Sequence, residues 1–309
     1  MKVHKLKSFR NEGKSIVTSG TFDGIHIGHQ KILSRLKEIA RKEGGESIVL
    51  TFWPHPRLVL FPEQTDLKLL STLEEKIALF ERYGIDHLVI AEFSPEFAQL
   101  SSTDFIKKII INQLKTKKLV IGYDHRFGKN REGSFEYLRQ NATSFGFEVE
   151  EIPPQEVKEV TVSSTKIRQA LAEGQVDIAN KYLGHDYSLS GKVVHGDKIG
   201  RKLGYPTANL EISERFKLIP RTGIYAVEVL YQGGTYQGML NIGNRPTLKE
   251  NLSTTIEVNL FDFDQEIYGE YLTILLKKYL REELKFNSME ELRDQIARDK
   301  EDTLTVLNS

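Results

Sequence analysis

Gly20-Thr21-Phe22-Asp23-Gly24-Ile25-His26-Ile27-Gly28-His29 decides how this chain is read. Upstream, Ser15-Ile16-Val17-Thr18 predicts a short buried strand; downstream, Ile32, Leu33, Leu36, Ile39 and Ala40 recur at helical spacing. The stretch is therefore a glycine-bearing loop between a strand and a helix N-terminus. Glycine lets backbone approach a ligand there, and the free N–H groups of a helix start favour an anion. His26 and His29 can aim imidazole donors at that same anion. Turn glycines with two solvated histidines would also satisfy a bare His-x-Gly-His. The strand–loop–helix context decides for phosphate, and so for a nucleotide site with Gly20, Thr21, Phe22 and Gly28 as loop candidates.

A chain of 309 residues suits two domains, each long enough to bury its own core. Lys plus Arg equals Asp plus Glu at 43 each, so no basic excess announces a nucleic-acid partner. With no cysteine there is no disulfide framework, thiol nucleophile or cysteine-ligated zinc. The polar N-terminus lacks the apolar run of a signal peptide, and no apolar stretch approaches the ~20 residues that span a bilayer. The expectation is a soluble cytoplasmic protein with small-molecule ligands and no membrane partner; oligomeric state stays open.

From Ser15 to about Leu183 strands and helices alternate. Residues 48–52, 87–93, 119–121 and 147–152 predict further strands, and a helix opened by Ser71-Thr72 closes at Gly84. Continuous apolar strands between helices imply a parallel sheet covered on both faces, with ligands beyond its carboxyl ends. Phe52-Trp53-Pro54-His55-Pro56-Arg57 follows the second strand and reads as a rigid exit loop. After the fourth strand, residues 122–131 gather two glycines, several cations and the Phe127 ring, which suits phosphate and a flat ring. Ser163-Ser164-Thr165-Lys166-Ile167-Arg168 opens a helix; its hydroxyls read as caps, with Arg168 one turn in.

The decapeptide Gly20 to His29 resembles the signature of the nucleotidyltransferase superfamily. With the three later segments, in this order, it resembles the adenylyltransferase module of prokaryotic FAD synthetases. That resemblance implies a Rossmann-like domain in which His26 and His29 contact the phosphates of ATP. It puts Asp124 near nucleotide or flavin, and Ser164, Thr165 and Arg168 at a second phosphate-binding motif. Trp53 departs from the family, which commonly has Asp before Pro-His-Pro. The 5′-phosphate of FMN is already anionic, so attack on the α-phosphorus of ATP needs no general base.

Past Gly184 the pattern changes. Residues 193–194, 223–230, 236–242, 254–260 and 271–276 are strand-like without intervening helices, which predicts an antiparallel barrel or sandwich. Met289, Leu292 and Ile296 form the stripe of one final helix. Gly196, Lys198, Gly200, Lys202 and Gly204 alternate small and basic residues in a loop able to wrap phosphates. Pro206-Thr207-Ala208-Asn209 follows, with a hydroxyl and an amide carbonyl facing one way if extended. On its own that would read as a polar strand after a hairpin.

The whole run from Gly191 to Leu210 resembles the riboflavin kinase signature, and residues 238–247, 256–260, 267–269 and 285–286 follow in the family's order. The resemblance implies that Thr207 and Asn209 hold Mg²⁺ and the ATP phosphates, while Glu257 is the general base. Asp124, Phe127 and Arg281 are the flavin candidates. Asn259 departs from the histidine expected there. The chain is thus identified as a member of the bifunctional riboflavin kinase/FAD synthetase family, with residues 1–184 adenylylating FMN to FAD and residues 185–309 phosphorylating riboflavin. A flavin-binding regulator with lost catalysis is the rival from outside the enzymes.

Overall fold

The computed structural model describes residues 1–63, 66–122, 125–152, 162–196, 199–246 and 252–309. Contacts divide the chain into two compact units, Met1–Ser163 and Ser164–Ser309.

The first unit is built on β1 (Lys2–Lys5), β2 (Ser15–Ser19), β3 (Glu46–Trp53), β4 (His87–Glu92), β5 (Thr116–Gly122) and β6 (Glu148–Ile152). They pair in the order β1-β4-β3-β2-β5-β6, every pair parallel. Successive side chains go to opposite faces, so consecutive apolar residues feed two cores. Val17, Ile48, Leu50, Val89 and Leu119 pack with Phe105, Ile106 and Ile110 on one side. Ile16, Val49, Leu88 and Val120 pack on the other, against Leu33 and Leu36 of α1 (Ile27–Glu43) and Leu79 and Phe80 of α2 (Leu73–Arg82). A reciprocal capping box between Thr72 and Glu75 starts α2. From β2 the chain moves outward to β3 and β4 in one direction and later to β5 and β6 in the other. The reversal lies between β2 and β5, where such a sheet opens a crevice at its carboxyl edge.

In the second unit β7 (Tyr187–Val194), β8 (Ala208–Glu211), β9 (Gly223–Tyr231), β10 (Gly234–Pro246), β11 (Leu252–Leu260) and β12 (Tyr271–Arg281) close a barrel in the order β10-β11-β8-β7-β12-β9. All its pairs are antiparallel. Ala208, Leu210, Leu240, Ile242, Ile256 and Val258 are buried. These alternate positions fill the barrel, so Asn209, Asn241 and Glu257 face outward. Barrel strands begin close to Gly184, yet the compact unit that holds them opens at Ser164. Two helices, Ser164–Ala172 and Val176–Leu183, are tied to the barrel: the Asn180 amide donates to the Leu276 carbonyl at 2.7 Å and accepts from the Tyr187 N–H at 2.8 Å. The last helix is Met289–Leu307.

Candidate active sites

The crevice beside β2 and β5 holds a cavity of about 780 Å³, lined by Ser19, Gly20, Thr21, Phe22 and His29 on one side and by Gly122 and residues 125–131 on the other. His26 is the N-cap of α1, makes no side-chain cap, and is followed by a first turn without acidic residues. The first-turn N–H groups are thus available to an anion. The His26 and His29 rings stack at 3.8 Å. His29 reaches the cavity while its Nδ1 is enclosed without a hydrogen-bond partner among the described residues. Burial first, then His26 and Lys76, push His29 well below its ordinary value. At pH 7 it is a neutral imidazole with one N–H to give.

Phe22 and Ile25 sit at φ +48° and +39°, in the left-handed region that costs such residues ~1–2 kcal/mol each. Their side chains are buried at 2% and 0% exposure, and Phe22 meets Phe80 and His29 edge-on. Packing therefore holds the strained loop, with Phe22 behind His29. Asp23, the motif's carboxylate, accepts from the N–H groups of Leu70 at 2.9 Å and Ser71 at 3.2 Å. Lys76 is 1% exposed and donates to the Thr21 carbonyl at 2.8 Å. Burial pulls it down to about 8, with Asp23 opposing. Its ammonium lies 5.4 Å from the Trp53 ring centre. The Trp53 ring thus covers this buried cation.

On the facing wall the Ser19 hydroxyl and His125 Nε2 are 3.2 Å apart, and the His125 ring lies near-parallel to Phe127. A side chain at Gly133 would come within 2.5 Å of the Phe127 ring. Arg57, Lys129 and Arg131 line the cavity and form no ion pair among the described residues. Asp124 falls outside the described residues.

The barrel carries the second site on its outer face. Asn209 and Asn241 are the cross-strand partners of Glu257, one on each side. The Thr207 hydroxyl donates to Glu257 Oε2 at 3.4 Å. Thr207 lines two cavities. One, about 430 Å³, includes Arg201, Phe263 and Tyr268; the other, about 400 Å³, includes Asn241, Glu257, Leu203, Met239 and Phe286. A Cβ on Gly196 would meet the Asn209 amide nitrogen at 2.3 Å, and one on Gly200 the Tyr205 carbonyl at 2.3 Å. Bare backbone thus closes the glycine-rich loop over Asn209, with a short helix at Ile199–Lys202 inside it. Asn259 donates to the Pro206 carbonyl at 2.6 Å, fixing the segment that carries Thr207.

Arg281 lines the 400 Å³ cavity, but its guanidinium fork is taken by Asp299 at 2.7 and 2.6 Å, locking β12 to the last helix. Ser164, Thr165 and Arg168 start the helix Ser164–Ala172 in the second compact unit. Lys198 lies outside the described residues, as does the side chain of Lys202; Gly204 takes φ +86° at the loop's end. Sequence reasoning passed over Lys76 and Asn241. Lys76 sits three residues after Leu73 and four before Phe80, a charged member of an apolar helical stripe, which was its available signal. Asn241 lies within the stretch 238–247 quoted for the kinase resemblance, but its register opposite Glu257 exists only in the sheet.

Residues 8–166 match the family model of FAD synthetase, and residues 183–307 that of riboflavin kinase. A bifunctional riboflavin kinase/FMN adenylyltransferase of Listeria monocytogenes serovar 1/2a is 39% identical over 288 residues, covering 93% of this chain and 91% of the relative. The chain belongs to the bifunctional riboflavin kinase/FMN adenylyltransferase family. Its Bacillus subtilis (strain 168) member is also 39% identical, over 99% of this chain and 96% of its own. A solved structure described as a macrolide-efflux protein from Streptococcus pneumoniae matches at TM-score 0.86 and 35% identity, covering 96% of both chains. Efflux is said of that protein; among the described residues here, no helix is long and apolar enough to cross a membrane.

Proposed function

We infer that this chain makes FAD from riboflavin in two steps, phosphorylation to FMN by ATP and adenylylation of FMN with release of pyrophosphate. The observation that carries this is the pairing of two separate sets of cavities with two family matches, each set lined by residues within the span of its own match. We assign adenylylation to residues 1–184 and phosphorylation to residues 185–309. In this reading the 430 Å³ cavity takes ATP and the 400 Å³ cavity, with its apolar lining, takes riboflavin. Thr207 lines both, and its hydroxyl bonds Glu257 of the 400 Å³ cavity.

The ribityl 5′-hydroxyl is a weak nucleophile, and Glu257 takes its proton as it attacks the γ-phosphorus and ADP leaves with the bridging oxygen. Thr207 and Asn209 offer uncharged oxygens beside that carboxylate, a donor set that suits Mg²⁺ shared with substrate phosphates. Bound there, Mg²⁺ would neutralise charge on the transferring group. In the first unit, the start of α1, His26 and His29 orient the triphosphate, while Arg57, Lys129 and Arg131 offer cations to the FMN phosphate. Ser164, Thr165 and Arg168 are kept as phosphate-binding candidates. Phe127 and the apolar end of that cavity face the isoalloxazine ring; Asp124 is kept as a flavin contact. Arg281 supports the kinase cavity through Asp299. We place the protein in the cytoplasm, where ATP is supplied.

Incubation with riboflavin, ATP and Mg²⁺, followed by chromatographic separation of flavins, tests the reading. FMN should appear first and FAD after it; riboflavin left unchanged would overturn it.

A further inference from the structure

We propose that Asn241 is a specificity residue of the kinase site, receiving a hydroxyl of the ribityl chain next to the one that Glu257 deprotonates. The inference rests on the riboflavin kinase reading of the barrel. Asn241 and Glu257 are directly paired on β10 and β11. Directly opposite residues of an antiparallel pair project to the same face with Cβ atoms ~4.5–5.5 Å apart. Both line the 400 Å³ cavity. Asn241 Oδ1 is buried and has no hydrogen-bond partner among the described residues. Its amide makes no other hydrogen bond there either, although Thr207 is bonded to the neighbouring Glu257.

A buried acceptor left open in the protein is ordinarily satisfied by what the site binds. The chemistry it asks for is an O–H donor one residue's width from the base. A polyol chain meets that demand, with one hydroxyl on Glu257 and a neighbouring one on Asn241. The isoalloxazine ring has an N–H donor of its own, but only the ribityl chain carries a donor beside the hydroxyl that meets Glu257. Asn241 therefore separates a flavin carrying a hydroxylated side chain from the bare ring system, and it fixes the chain so that its terminal oxygen meets Glu257.

The test uses the full-length protein and the phosphorylation reaction, which reads only the kinase site. KM for riboflavin is measured for wild type and Asn241→Leu, together with the inhibition constant of lumiflavin, which has a methyl group in place of the ribityl chain. Losing one hydrogen bond to substrate should raise KM for riboflavin on the order of tenfold, and kcat should fall with it. The lumiflavin constant should stay within about twofold. Asn241→Ser keeps an uncharged acceptor oxygen beside Glu257 and should retain more of the riboflavin affinity than Asn241→Leu. Equal weakening of riboflavin and lumiflavin in Asn241→Leu would overturn the proposal, showing a merely structural role. An unchanged KM would overturn it as well. Failure of the wild type itself to phosphorylate riboflavin would instead overturn the kinase reading, and the inference with it.

Discussion

Gly196→Ala is a small change with a large calculated consequence. The added Cβ would stand 2.3 Å from the Asn209 amide nitrogen, whereas ordinary contact begins near 3.4 Å. Something must therefore move by about 1 Å. The atom it meets ends a side chain, so the amide turns aside and the barrel itself is spared. Asn209 is assigned to the metal and phosphates, and a misplacement of ~1 Å at a reacting centre costs on the order of 10²-fold. Riboflavin phosphorylation should drop by about that factor while FMN supplied from outside becomes FAD at the normal rate. Both rates are read from one sample by flavin chromatography, with the adenylylation rate as the control for folding. Normal phosphorylation by a folded Gly196→Ala protein would refute the placement of Asn209 in the kinase site.

Glu257→Gln keeps size but loses the base, so FMN formation should fall ~10²–10⁴-fold with little change in riboflavin KM; a normal single-turnover rate would exclude Glu257 as the base. His29→Ala removes a neutral donor facing the crevice and should cut FAD formation by ~10²–10³-fold while leaving FMN formation near normal. Equal loss of both activities would contradict two separate sites. Lys76 stays protonated to 10.5 when exposed but only to about 8 in the fold. Between those values the unfolded chain binds more protons, so stability rises as pH climbs from about 8 to about 10.5, by up to roughly 3 kcal/mol. Lys76→Met should lack that rise in denaturant unfolding followed by fluorescence of Trp53, the single tryptophan; parallel curves for the two proteins would refute it.

Much of the fold was legible because its strands are apolar runs and its turns carry glycine. The edge strand β1 was not, since Lys2, Val3 and Lys5 are exposed and give no buried pattern. Periodicity could not decide whether Glu257 faced solvent. Its neighbours Ile256 and Val258 do enter the barrel, but a cavity roofed by the glycine-rich loop and the last helix covers the outward face. The first half's motifs were visible as sequence, yet the support behind them was not. Lys76 and Asp23 act through pairings across more than forty residues, Lys76 with Thr21 and Asp23 with Leu70, and spacing carries no trace of them. Arg281, a flavin candidate, lines the kinase cavity, but its pairing with Asp299 of the last helix left no trace in spacing.

The central claim is that one chain transfers two different parts of ATP to one flavin. Parallel time courses with ATP labelled at the γ- or the α-phosphorus, starting from riboflavin, test it most directly. The account predicts that γ-label enters FMN and is kept in FAD, while α-label enters FAD alone and pyrophosphate accumulates with it. Label from the α-position in FMN, or FMN that acquires no γ-label, would contradict it.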